Sequence, residues 1–127
     1  MIQKNLCERQ ISNFIETNGI GTIATNCGYR DVFVYGYFTM WQWCFMVHRA
    51  LDDPRYFTVS EVSTGRQLRD EVYYTIEDAL YFARSFIKEK RYYLATTIGD
   101  VLVRTQCNLS KRNTNLQTLA IDTALWL

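Results

Sequence analysis

His48 is the single histidine of the chain, so any imidazole base has to be this one. Cys44 precedes it by four residues, and a thiol beside an imidazole is the pairing that activates a cysteine nucleophile. On one extended strand, however, residues four apart are separated by about 13 Å. The pair could meet only through a bulge or a helix, and His48 otherwise reads as a polar residue at a strand end. Zinc could draw on Cys27, Cys44, His48 and Cys107. Structural zinc sites take two donors from one short knuckle, and the four cysteines, Cys7 included, lie far apart with no Cys-x-x-Cys. Isolated cysteines then act as small core hydrophobes. The carboxylate pairs Asp52-Asp53, Asp70-Glu71 and Glu77-Asp78 fall at turns or at a helix start, where capping explains them. Gly19-Ile20-Gly21 has neither the third glycine nor the preceding strand of a phosphate loop. The residues therefore predict no catalytic group, no metal and no cofactor: the chain is not expected to be an enzyme.

Binding chemistry is better represented. Arg49, Arg55, Arg66 and Arg69 gather around Tyr56, Tyr73 and Tyr74, and a two-stranded ribbon carrying such residues fits a DNA major groove. Strands followed by the helix start Thr75-Ile76-Glu77-Asp78-Ala79-Leu80 loosely resemble, over residues 41–90, the sheet-and-helix DNA-binding domains of the AP2 and phage-integrase arm type. That resemblance implies a nucleic-acid partner read through residues 55–69. The formal charge of +1, from 14 basic and 13 acidic residues, supplies no bulk field toward nucleic acid or an anionic membrane. The run FVYGYFTMWQWCFM supplies a different surface. Tyr35, Tyr37, Trp41 and Trp43 are residue types that dominate protein interfaces. Length, aromatic richness and scattered cysteines together resemble the short accessory proteins of phages and mobile elements, the anti-CRISPR inhibitors among them. That resemblance implies a protein-binding module that occupies the surface of a host protein or complex, such as a CRISPR-Cas defence system. Protein binding is the leading expectation, DNA binding the alternative.

The elements that must position these residues follow from patterning. With 127 residues, 48% hydrophobic and 15% aromatic, the chain reads as one domain, 1–127, with a real core. Cys7, Ile11, Phe14 and Ile15 mark one helical face over Lys4 to Thr17. Gly19 to Asn26 reads as a short strand. Asp31 to Arg49 is aromatic and β-branched and too long for one strand. It divides into Val32 to Phe38 and Trp41 to His48, either covered on both faces or showing one to a partner. A hairpin from Tyr56 turns at Ser63-Thr64-Gly65. The next helix starts at Thr75, with Ile76, Ala79, Leu80, Ala83, Phe86 and Ile87 on one face and Lys88, Lys90 and Arg91 at its end. Tyr92 to Ile98 and Val101 to Gln106 flank Gly99-Asp100 and predict a second hairpin, and Asn108 to Asn115 a loop.

Leu116, Leu119, Ala120, Thr123, Ala124 and Leu127 recur at helical spacing. A helix this apolar must either close the core of its own subunit or pack on its copy in a homodimer. The predicted fold is α+β: a mostly antiparallel sheet, a central helix packed on it, and helices at both termini. The uncharged run Val32 to Val47 falls short of the roughly 20 residues of a spanning helix, so no membrane partner is expected. The start MIQKNLCERQ lacks a signal-peptide core, and with unpaired cysteines this predicts a cytoplasmic protein.

Overall fold

The computed structural model describes residues 14–113. Strands β1 (Phe14–Thr25), β2 (Gly28–Met40), β3 (Trp43–Arg49) and β4 (Phe57–Glu61) form one antiparallel sheet in sequential order, followed by helices α1 (Ile76–Glu89) and α2 (Arg91–Thr105). The α+β class predicted from patterning is the one observed. No helix among the described residues is long and apolar enough to cross a membrane.

Strand β3 shows why the sequence has apolar residues on both faces here. Successive side chains alternate across a strand, so Trp43, Phe45 and Val47 join Phe38, Val59, Ala79, Leu80, Ala83 and Ile87 in a core beneath α1. Met46 faces the other way, into a second core with Ile23, Val32, Val34, Tyr37 and Val62. That second core is roofed in part by the β1–β2 hairpin itself. Register shifts occur between Glu16 and Gly19 on β1 and between Val34 and Gly36 on β2, and Gly19 pairs with Val34. Irregularities at adjacent positions bend both strands together. The outer arm of the hairpin thereby curls over the sheet, and Ala24 N–H donates to the Gly65 carbonyl at 2.8 Å. Gly65 has φ of 70° and lies against Ile23 and Ala24, so both its conformation and the close approach require glycine.

Asn113 locks this closure. Its side-chain oxygen accepts from Thr22 N–H at 3.1 Å, and its amide donates to the carbonyls of Thr22 and Val62 at 3.3 and 3.0 Å. The Tyr37 hydroxyl donates to the Asn113 carbonyl.

Helix α1 starts as its capping pattern requires: Thr75 accepts from Asp78 N–H at 3.0 Å, with Glu77 and Asp78 in the first turn. Four expectations need correction. Residues 14–17 are the start of β1, not the end of a helix, because Phe14 and Ile15 pair with Phe38 and Tyr37 and fill the space beside Gly36. The rest of that predicted helix, and the C-terminal one from Leu116, lie outside the described residues. Residues 66–74 make only isolated bridges, Ser60 to Gln67 and Phe57 to Tyr73, so the central hairpin lacks a full second strand. The turn between them is held by the buried Glu61 carboxylate, which accepts from Ser63 N–H, Ser63 Oγ and Thr64 N–H. The predicted second hairpin is helix α2. Leu94, Ile98 and Val101 are buried at helical spacing while Tyr92, Tyr93 and Val103 project into solvent, so packing of one stripe overrides β-propensity. Finally, Ser110 to Asn113 are helical rather than loop, with Asn108 accepting from Ser110 N–H.

Candidate functional site

On the helix-bearing face, running to the edge of the core beneath α1, a band of side chains crosses all four strands. Ile20 lies opposite Phe33 in the β1–β2 register. Phe33 touches Tyr35, ring centroids 4.7 Å apart, and Tyr35 meets Phe57 edge-on at 5.3 Å. Arg49, paired with Phe57 across β3 and β4, lays its guanidinium over both rings, 5.1 Å from Tyr35 and 4.6 Å from Phe57. Its Nε–H donates to the Tyr35 hydroxyl at 2.6 Å and Nη1 to the Pro54 carbonyl at 2.7 Å. Phe57 bridges to Tyr73, which stacks on Phe82 of α1 at 5.6 Å. Ile20 is 65% exposed, and Phe33 and Phe82 are about 40% exposed. Isolated exposed hydrophobes are ordinary; here Ile20 and Phe33 are exposed and pair across the β1–β2 register, next to the half-buried Tyr35, Arg49 and Phe57. The local sequence builds it simply. Phe33 and Tyr35 alternate on one strand, and the β2 irregularity between Val34 and Gly36 swings Tyr35 outward toward Arg49.

Of the residues predicted for protein contact, only Tyr35 belongs to this band. Tyr37 has no exposed surface and Trp43 only 9%. Both are core residues, a correction to the expectation that the aromatic strand presents one face to a partner. Burial pushes the Tyr37 phenol well above its ordinary value. Trp41 is exposed at the β2–β3 turn, with φ of 54°, a conformation that costs a bulky residue about 1 kcal/mol. The Arg91 guanidinium covers it at 4.8 Å and Trp43 meets it edge-on. It stands at the opposite end of the hairpin from Tyr35, roughly 20 Å away along the strand, and forms no common surface with it.

The four arginines expected to read DNA are also dispersed in role. Arg55 is paired with Asp53 at 2.7 Å and Arg69 with Glu71 at 2.6 Å. Arg69 also lies over Phe86, and the Arg55 guanidinium holds the Asp53 carboxyl below the usual carboxylate range. Arg66 is exposed on the other side of the molecule, at the rim of a cleft. Arg49 alone of the four is part of the aromatic band. Phe33, Phe57 and Ile20 were not singled out from sequence. The Phe33/Tyr35 alternation and the position of Phe57 opposite Arg49 were the available signals, but recognising them requires the strand register.

The cleft, about 700 Å³, opens between the curled arm and β3–β4, with Arg30, Arg66, Asp52 and Asp70 around it and His48, Thr58 and Ser60 lining its floor. His48 Nδ1 lies 2.8 Å from the Arg49 carbonyl and Nε2 2.7 Å from Ser60 Oγ. A carbonyl can only accept, so Nδ1 carries the proton and Nε2 accepts from the serine. A base beside a hydroxyl has the outline of a nucleophile pair. Yet His48 is 1% and Ser60 0% exposed, so the pair ties β3 to β4 out of reach of a substrate. Burial holds the imidazole pKa below its ordinary value, the Arg49 carbonyl opposing this. Cys44 lies four residues earlier on the same strand. Burial, with Glu61 adding to it, pushes its thiol up to about 11, the opposite of what a nucleophile needs. Among the described residues no three His, Cys, Asp or Glu side chains gather where a metal could be held, and Cys27, Cys44 and Cys107 form no disulfide with one another.

Comparison of the chain with protein-family models, with curated proteins and with solved structures finds no match.

Proposed function

We propose that the chain is a non-enzymatic protein-binding module whose contact surface is the band Ile20, Phe33, Tyr35, Arg49 and Phe57. The observation that carries this reading is the half-buried Arg49 guanidinium lying over two aromatic rings beside the exposed Phe33 and Ile20. Arginine and aromatic residues carry most of the energy of protein interfaces, provided they are fixed in place before binding. In this reading the chain acts by occupying its partner's surface, the mode implied by its resemblance to small phage inhibitors of host systems.

The same band argues against nucleic acid. Single-stranded bases bind by stacking on open ring faces, but the guanidinium covers one face of both Tyr35 and Phe57, and the rings are inclined at 58° and 75° to their neighbours. Duplex binding needs unpaired cations along the backbone, whereas Arg55 and Arg69 are neutralised by Asp53 and Glu71.

The test is affinity capture from the source cell, with nuclease present, using the natural chain and Phe33→Ser side by side. A specific protein retained by the first and lost by the second supports the reading. Capture that is unchanged by the substitution, or abolished by nuclease, overturns it.

A further inference from the structure

Resting on the reading of the band as a protein-contact surface, we infer that the partner presents a carboxylate side chain, flanked by apolar side chains, to the guanidinium of Arg49. A guanidinium has five N–H donors. In Arg49 one is given to Tyr35 Oη and one to the Pro54 carbonyl. Nη2 has no acceptor among the described residues, and Arg49 is half-buried. No described carboxylate lies within ion-pair distance of Arg49, although Arg55, Arg69, Arg104 and Arg112 each have one. The cation is thus held by contacts with two rings and by two hydrogen bonds, and Arg49 as a whole is only half-buried. Its rotamer is fixed before the partner arrives, so little conformational freedom is lost on contact. A planar fork of this kind matches a carboxylate by two parallel hydrogen bonds. Once covered by a partner, the exposed Phe33 and Ile20 would shield such a contact from water, which strengthens a charged hydrogen bond and gives apolar neighbours in the partner a surface to pack on.

A phosphate group would use the same fork, but phosphate recognition assembles several cations. Here the loop that holds Nη1 carries Asp52 and Asp53 immediately before Pro54, and Arg55 is already committed to Asp53. A single negative charge fits that setting better than two.

The experiment pans a phage-displayed library of random dodecapeptides against the full chain and remakes the selected peptides synthetically. The expected peptides carry Asp or Glu beside aromatic or aliphatic residues. Exchanging that acid for its amide should weaken binding to the natural chain at least 10-fold, a measurement independent of whether any variant folds. Arg49→Met should weaken the original peptide by a similar factor, and Phe33→Ser should weaken it as well. Peptides lost with Phe33→Ser but indifferent to the amide exchange and to Arg49→Met overturn the carboxylate inference and leave the protein-contact reading standing. Failure to select any peptide, selected peptides indifferent to both variants, or displacement of the peptide by a single-stranded oligonucleotide would overturn both.

Discussion

His48 and Arg49 are neighbours on β3 and point to opposite faces of the sheet, and the two faces have opposite fates. The imidazole is enclosed, with both nitrogens bonded to groups of the chain itself. The guanidinium is also bonded twice, but its Nη2 has no acceptor among the described residues. A polar side chain whose every donor and acceptor is satisfied internally contributes to the fold. One that is rigidly held with donors to spare keeps hydrogen-bonding capacity that the fold does not use. The sole histidine, the residue with the most obvious chemistry, belongs to the first kind.

The sharpest way to break this comparison is to remove each side chain in turn. His48→Leu leaves the Ser60 hydroxyl buried without its acceptor and the Arg49 carbonyl without its donor, so it should cost about 2–3 kcal/mol and lower the thermal midpoint by roughly 10 °C. Differential scanning calorimetry reads this directly, and an unchanged midpoint would show that the pair is not structural. Arg49→Met keeps an apolar stem between Tyr35 and Phe57. Its stability should stay within about 1 kcal/mol of the natural chain, since it loses two partly exposed hydrogen bonds and ring contacts worth about 0.5–1 kcal/mol each at such sites, offset by apolar packing. Urea unfolding separates these two outcomes.

A pH scan sharpens the same contrast. The His48 pKa is lower in the folded chain than in the unfolded one, so the unfolded state binds the extra proton. Stability from this group is present above the unfolded value near 6.5 and is lost as pH falls below it. Melting temperature should therefore drop between pH 7 and pH 5, and His48→Leu should flatten that part of the profile. Arg49→Met should leave the slope as it is. The smallest expected effect concerns the thiols. At pH 8 exposed Cys27 should react with a thiol reagent well before Cys44, whose thiol is held protonated by burial. Equal rates, followed by mass spectrometry of the folded chain, would contradict the enclosed second core.

Much of the architecture was legible because it is written in local chemistry. Thr75 with Asp78, the stripe from Ala79 to Ile87, the Ser63-Thr64-Gly65 turn and the strands around Val32 to His48 each carry their own signal in propensity and period. The α+β class follows from those elements alone. The same local rules misled where packing decided the outcome: Tyr92, Tyr93, Thr96 and Thr97 favour a strand, yet the burial of Leu94, Ile98 and Val101 makes that segment helix α2.

What the sequence by itself determined, then, is the α+β class with the helix after Thr75 and the strands around Val32 to His48, the near-neutral charge and the abundance of tyrosine, tryptophan and arginine. Which of those side chains face outward was decided only by tertiary structure. In a period of two, one irregularity exchanges the faces of every residue beyond it, and the one between Val34 and Gly36 puts Tyr35 beside Arg49 while Tyr37, two residues on, goes into the core beneath the curled arm. The pairing of Arg49 with Phe57 is likewise a matter of register between β3 and β4. No local propensity encodes it, because the two residues meet only when their strands do.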